Sequence, residues 1–313
     1  MMRRIAITGI SGYIGAQLLD RLVGHPEVET VVGIDTRPPH RQPPKLRFYL
    51  RDVTQPMADL FAQERVDTAI HLAFIVRPSR DDQDTRRVNV EGTQRFLEAV
   101  LAGGVEHALY LSSAAAYGAH PDNRIPLQEE AMLRPNQRFQ YSRDKAATDQ
   151  MFREFAASNP GITVTVLRGS VVLGPGGADA IGSKVFQPVM IRAAGHDPVV
   201  QYLHEQDLID LLITALEKRP AGVYNLAGDG VMRYSSVARL ARRPMVTIPK
   251  AVLGAVMDVT WALRLQSQSN SAGLDFIAYP WVVSNRKFQE ATGFSYRYST
   301  EETVRSYLQA MGR

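Results

Sequence analysis

Three glycines spaced G-x-x-G-x-x-G, Gly9, Gly12 and Gly15, constrain this 313-residue chain more than any other stretch. Before them stands Ile5-Ala6-Ile7, short, apolar and rich in β-branched residues, which suits a buried strand. After them, Ala16-Gln17-Leu18-Leu19-Asp20-Arg21-Leu22 carries apolar residues at helical intervals. Strand, glycine turn and helix start, in that order, form a phosphate-binding device. Glycines let backbone N–H groups approach a pyrophosphate, and the helix N-terminus adds partial positive charge. A bare triplet is also compatible with a plain strand-to-helix turn. The flanking elements favour the phosphate reading, with Ser11, Tyr13 and Ile14 lining the turn beside the glycines.

Val28 to Asp35 reads as a second strand ending in an acid, 20 positions after Gly15. A dinucleotide fingerprint wants a carboxylate there to hold the adenosine ribose hydroxyls. Asp35 would repel a 2′-phosphate, so NAD is expected over NADP. Thr36 and Arg37 follow it, and Arg37 keeps NADP as a minor option. Leu46 to Val53, Asp67 to Phe74, His107 to Ser113 and Thr163 to Arg168 read as further strands, the second running into a turn near Pro78. Helices are expected from Val88 to Gly103-Gly104 and from Tyr141 to Asn159-Pro160-Gly161. This alternation predicts an α/β fold with a parallel sheet covered on both faces and ligands gathered at the strands' carboxyl ends. His71 reads as a packed strand histidine.

Beyond residue 170 the pattern is mixed. Tyr202 to Glu217 looks helical, Gly222 to Ala227 strand-like, and Thr300 to Met311 a helix capped at Thr300. Val246 to Leu265 is apolar but interrupted by Pro249, Asp258 and Arg264, so it reads as a buried or cavity-lining helix rather than a membrane anchor. No stretch approaches the ~18 apolar residues of a span. The apolar run after Met1-Met2-Arg3-Arg4 is broken by Thr8 and Gly9, unlike a signal peptide. A net charge of +4 without a Lys/Arg run gives no reason to expect nucleic acid. The absence of cysteine excludes disulfides, thiol catalysis and cysteine-held metals, and no His/Asp/Glu cluster has ligand spacing. The expectation is a soluble cytoplasmic protein with a small-molecule substrate, no metal and no membrane partner.

Tyr141 and Lys145 are four residues apart and project from one helix face. A phenol of pKa near ~10 is a poor base at neutral pH. An ammonium one turn away, and an oxidised nicotinamide cation, would favour the phenolate. The pair then suits proton exchange with an alcohol or a carbonyl oxygen, and Ser113, ending the preceding strand, can hold the same oxygen.

These residues resemble the extended short-chain dehydrogenases/reductases, in their NAD-dependent epimerase/dehydratase group. Thr8 to Gly15 matches T-G-x-x-G-x-x-G, and Asp52-Val53 matches the adenine-binding acid–aliphatic pair. His71-Leu72-Ala73-Phe74 is similar to H-L-A-A with Phe74 for the last Ala, and Asn89 to Thr93 matches N-x-x-G-T. Ser112 to Gly118 matches S-S-x-x-x-Y-G, which implies a catalytic Ser113 with Ser112 beside the cofactor. Tyr141 and Lys145 match Y-x-x-x-K, Val172 to Pro175 resembles V-Y-G-P, and Tyr202, His204 and Asp207 resemble Y-x-H-x-x-D.

The resemblance implies a Rossmann-type doubly wound parallel sheet with a smaller C-terminal α/β substrate domain. Residues 1–170 would be the NAD-binding core, with 205–228 returning to it, and 171–204 and 229–313 mostly the substrate part. It implies a homodimer built on the helices near Asn89 and Tyr141. Leu72, Ala73, Phe74 and Asn89 would lie along the cofactor, and Lys145 would hold the nicotinamide ribose. Two departures bear on substrate. Val171 stands where sugar-nucleotide epimerases of the group usually carry Asn, and Val200 where they tend to carry Arg. Three readings therefore stay open: a sugar-nucleotide epimerase/dehydratase retaining NAD, a dehydrogenase/reductase exchanging it on an apolar alcohol or ketone, and a non-catalytic NAD(P)-sensing protein.

Overall fold

The computed structural model describes residues 3–76, 82–177, 186–265 and 270–312, and the turn expected near Pro78 lies outside them. The strands are β1 (Arg4–Thr8), β2 (Thr30–Asp35), β3 (Leu46–Leu50), β4 (Thr68–His71), β5 (His107–Ser113), β6 (Thr163–Gly169), β7 (Val171–Leu173), β8 (Met190–Ala193), β9 (Val199–Val200), β10 (Tyr202–His204), β11 (Gly222–Leu226), β12 (Met232–Arg233) and β13 (Met245–Ile248). Seven of them form one parallel sheet in the order β11-β6-β5-β4-β1-β2-β3. The chain leaves β1 toward β2 and β3 on one side, then returns to β4, β5 and β6 on the other. The switch point lies between β1 and β4, where a doubly wound sheet opens a crevice at its carboxyl edge.

The two-residue alternation of the strands explains the layers. Ile5 and Ile7 of β1 pack toward α1 (Tyr13–Val23), while Ala6 belongs to the opposite core. On Ile5's side, Leu18 and Leu22 of α1 meet the apolar face of a later helix through Leu208, Leu212 and Leu216. On Ala6's side lie α2 (Ala58–Gln63), α4 (Gly92–Ala102) and α5 (Gln140–Ser158), with Phe61, Phe96, Val100 and Phe152 buried between them. Short α3 (Asp82–Arg86) runs through a wide turn, Arg87–Glu91, into α4. Each fully buried side chain of this size contributes about 1.5–3 kcal/mol.

The later helices are α6 (Glu205–Lys218), α7 (Tyr234–Leu240), α8 (Lys250–Ala262), α9 (Asp275–Ala278), α10 (Arg286–Thr292) and α11 (Thr300–Ala310). Strand β11 and helix α6 join the main sheet and its core, while a separate core forms from Leu173, Phe186, Tyr202, Val237, Val304 and Tyr307.

Three sequence expectations change here. Tyr202 to His204 is strand and not helix, because it pairs with Val171 to Leu173. The last helix is capped by Ser299, whose side chain exchanges hydrogen bonds with Glu302, so Thr300 is free to donate to the Gly230 carbonyl at 2.9 Å. Of the two alternatives for helix α8, burial fails, since Leu253 is its one buried residue, and cavity lining holds, since Lys250, Ala251, Gly254 and Asp258 line a cavity with Asn136 and Ser271. Among the described residues no helix is long and apolar enough to cross a membrane.

Candidate active site

The glycine turn sits at the switch point. Gly9 has φ +76, and a Cβ there would lie 2.6 Å from the Ala73 nitrogen. The backbone leaving β1 therefore runs against the backbone leaving β4. A Cβ at Gly15 would lie 2.3 Å from the Gly9 carbonyl oxygen, so Gly15 lets α1 press onto its own turn. Gly12 is different: a Cβ there would meet only the Gly9 oxygen, at 3.2 Å. The space above Gly12 is open, and α1 begins at Tyr13 without a side-chain cap. An uncapped helix start facing open space over a glycine suits a pyrophosphate. The residues present thus fit a dinucleotide.

The acids take positions around this turn. Asp35 accepts hydrogen bonds from the Ser11 nitrogen at 3.0 Å and the Arg37 nitrogen at 3.2 Å, and the Ser11 hydroxyl donates to the Arg37 carbonyl. The carboxylate thereby ties the glycine turn to the end of β2, through Thr36. Asp52 accepts from the nitrogen and hydroxyl of Thr54, a local turn that leaves Val53 buried. A Cβ on Gly92 would lie 2.6 Å from Val53 Cγ2, which gives the glycine of N-x-x-G-T its reason.

After β4 a buried polar chain fixes the loop. Thr93 donates to the Asn89 carbonyl at 2.6 Å, so it accepts from His71 Nε2 at 3.1 Å. His71 Nδ1 then accepts from Thr8 at 2.7 Å. Burial lowers the His71 pKa to about 3, with the Lys145 charge adding to it, so the ring is a neutral brace. Asn89 pairs with the main chain of Ile75 and donates to Asp144 at 3.0 Å. It positions the Leu72-Ala73-Phe74 loop, with its own amide already engaged.

Ser113, Tyr141 and Lys145 converge at the end of β5. Ser113 caps the 3-10 turn Ala114–Tyr117, accepting from the Ala115 nitrogen at 3.1 Å, and its hydroxyl reaches the Gly169 carbonyl at 3.4 Å. Tyr141 is half-buried in the first turn of α5. Burial raises its pKa, and the neighbouring Ser113 hydroxyl pulls it partly back. Lys145 is buried one turn on and donates to the Leu111 carbonyl at 2.8 Å and the Tyr110 hydroxyl at 3.2 Å. Its Nζ lies 3.7 Å from the Phe74 ring centre, and the same ring stands edge-to-face with Tyr141 at 5.8 Å. Burial lowers the Lys145 pKa to about 7, against the pull of Asp149 and Asp144. The large ring of Phe74, where the pattern has Ala, occupies the space against both groups.

Ser112 points to the other side of β5, where its hydroxyl donates to Asp149 at 2.8 Å. Its side chain belongs to a buried network and not to the cofactor side. Sequence reasoning also missed Glu205. This buried carboxylate accepts from the Gly176 nitrogen at 2.9 Å and from the Tyr13 hydroxyl, linking the glycine turn to the loop after β7. Gly174 and Gly176 accommodate it, since a Cβ would lie 2.2 Å from Glu205 Cγ at the first and 3.1 Å from Glu205 Oε2 at the second.

A doubly wound sheet with this turn at its switch point, and a Tyr–Lys pair on the neighbouring helix, defines an NAD-dependent oxidoreductase. The sequence profile of the NAD dependent epimerase/dehydratase family matches residues 5–227, and the chain belongs to that family. An uncharacterized protein of Mycobacterium tuberculosis is 24% identical over 316 residues, covering 98% of this chain and 84% of its own. GDP-6-deoxy-D-mannose reductase of Pseudomonas aeruginosa is 25% identical over 326 residues, covering 98% and 97%. The fold is shared with MoeE5 in complex with UDP-glucuronic acid and NAD, at TM-score 0.75, 24% identity and 99% coverage of both chains.

Proposed function

We propose that the chain transfers hydride at a carbinol or carbonyl carbon of a nucleotide-linked sugar, in the manner of an epimerase or dehydratase. The observation that carries this reading is the meeting of Ser113 and Tyr141 at the carboxyl edge of the sheet, beside the open glycine turn. Relatives named for UDP- and GDP-linked sugars support the substrate class. Gly9, Gly12 and Gly15, with the first-turn N–H groups of Tyr13 and Ile14, hold the pyrophosphate. Asp35 holds the adenosine ribose, and Asp52 and Val53 border the adenine. NAD, when bound, supplies the hydride acceptor. Tyr141 takes the hydroxyl proton of the substrate carbinol, and Ser113 hydrogen-bonds the oxygen that becomes a carbonyl. Lys145 keeps one N–H beyond those given to Leu111 and Tyr110 for the nicotinamide ribose. Residues 1–170 and 205–228 form the nucleotide half, and 171–204 with 229–313 the substrate half. A cytoplasmic homodimer through the helices near Asn89 and Tyr141 completes the reading and rests on the family resemblance.

A second reading has its own observation. Half-buried aromatic rings continue outward from Tyr141: Phe139 at 6.0 Å, then Phe276 and Trp281, each 5.1 Å from the one before. Such a wall suits an apolar alcohol or ketone and an exchanging cofactor.

Three measurements test these proposals. Nucleotide released on denaturing protein purified without added cofactor is identified by mass. Near-stoichiometric NAD supports the retained-cofactor reading, and an empty protein that binds NAD on titration supports the second. Tyr141→Phe is expected to lower turnover by about 10²–10⁴-fold with NAD binding kept, and undiminished turnover removes Tyr141 from the chemistry. Gly12→Ala should weaken NAD with little change in melting temperature, since its Cβ would meet only the Gly9 oxygen, at 3.2 Å, and otherwise enter the open space. Equal loss of stability and binding would count against the cradle.

A further inference from the structure

Helix α8 wears its apolar side outward. At about 100° per residue, Val252, Ala255, Val256, Val259, Ala262 and Leu263 fall within one arc of roughly 120°. All six are exposed, with Val252 at 53%, Val256 at 53%, Val259 at 56% and Leu263 at 64%. The polar groups are engaged by neighbouring segments off this arc: Lys250 pairs with Asp275 at 2.6 Å, and Asp258 accepts from the Ser271 nitrogen and hydroxyl at 2.8 Å. An ordinary surface helix has the reverse arrangement.

The surroundings say what would cover this face. Arg192 on β8 donates to Thr247 on β13, the strand that leads into α8. Arg242 and Arg243 stand in the turn before that strand, and Arg264 follows the helix. Among the described residues none of these four arginines pairs with a carboxylate, and the nearby Asp197 is engaged by Ser235. Ile191 and Val246, on the same two-stranded ribbon, are also exposed. An apolar arc with carboxylate-free arginines on the segments that lead into it and one just past its last turn matches a surface of anionic headgroups over acyl chains. A helix of 13 residues spans about 20 Å, too short to cross a bilayer but suited to lying in its plane. Its footprint, about 20 Å by 10 Å, is well under the ~800 Å² per partner of a stable dimer. We propose that α8 and the β8–β13 ribbon dock this protein on an anionic lipid surface without spanning it.

The test is sedimentation of the full chain with vesicles of phosphatidylcholine containing about 30% phosphatidylglycerol, and with phosphatidylcholine alone. Binding to the anionic vesicles that falls with salt and is at least about tenfold weaker on the neutral ones is expected. Val256→Glu with Val259→Glu should cut anionic-vesicle affinity about tenfold or more while NAD titration and circular dichroism stay unchanged. Any of three results overturns the proposal: wild type left in solution with anionic vesicles, equal binding to both compositions, or equal binding of the double variant. A vesicle-indifferent dimer that the double variant splits would assign the face to a second copy of the chain.

Discussion

Two buried cations meet at helix α5, Lys145 as one of its own residues and Arg168 of β6 through Asp149 one turn further on, and the fold treats them in opposite ways. Arg168 donates to both oxygens of Asp149 at 2.8 and 2.7 Å, to the Tyr117 hydroxyl and to the Glu129 carbonyl. Burial alone would lower its pKa, but Asp149 holds it above the ordinary value. Lys145 has the carboxylates of Asp144 and Asp149 nearby and pairs with neither. Asp149 is taken by Arg168 and Arg153, and Asp144 by Arg86, Asn89 and Gln140. The neutralised cation locks β5, β6 and α5 together. The unneutralised one stands beside Tyr141, with a pKa near 7 that lets it hold or release a proton at working pH. Structural and functional charge are distinguished here by where the carboxylates are engaged, not by burial.

The largest effect tests the Arg168 side. Arg168→Met leaves Asp149 buried with only Arg153 and Ser112, and should cost about 3–5 kcal/mol of stability by chemical denaturation. A loss under 1 kcal/mol would show that Arg153 suffices as the counter-ion. Lys145→Met should move stability the other way. Replacing an unpaired buried cation by an apolar side chain of similar length is expected to gain about 1–4 kcal/mol near pH 7, with turnover lost.

The pH dependence follows with its sign. The folded-state pKa of Lys145 is depressed to about 7, while the unfolded lysine stays near its ordinary value of 10.5. Between these values the unfolded chain binds the extra proton, so wild-type stability should rise as pH goes up from about 7, and be lost on the way down. Lys145→Met should remove that rise. A wild-type profile flat between about pH 7 and 9 would mean that the buried amine keeps its charge.

How much of this was legible in the sequence depends on whether a residue's partner is local. Gly12 and Gly15 were readable because their constraint is backbone geometry within one turn, whereas Gly9 also answers to the distant Ala73 backbone. The β-α alternation gave the layers for the same reason. Tyr141 and Lys145 were readable as a helical pair, but their relation was not. Phe74 looked like a minor departure from H-L-A-A, and only the fold brings its ring onto Lys145, 71 positions away. Glu205 reads as an acid at a helix start, with its partner Tyr13 192 residues distant. Asn89 and Ser112 sit in matching patterns, yet their side chains bond inward to Ile75 and Asp149. For α8, the sequence showed an apolar stretch but carried no information on which side the protein would lie. A strand's exposed face has the same ambiguity until its neighbours are known.

The smallest expected effect sharpens the comparison most, because two physical causes at Lys145 predict opposite signs. The Phe74 ring at 3.7 Å attracts the ammonium, a contribution of up to about 2 kcal/mol where water is excluded. By that cause alone, Phe74→Ala would lower the Lys145 pKa further. The same ring also shuts water away from the amine, and desolvation is the dominant influence on it. Hydration of an ammonium outweighs its attraction to an aromatic face, so removing the ring should raise the pKa. The rise in stability above about pH 7 should then begin at higher pH in Phe74→Ala than in wild type, while Arg168, remote from Phe74, keeps its contribution. An onset displaced to lower pH would show that the ring's charge distribution, and not its exclusion of water, sets the protonation of Lys145. In that case the Phe at this position would act as an electrostatic partner replacing the carboxylate that Arg168 has and Lys145 lacks.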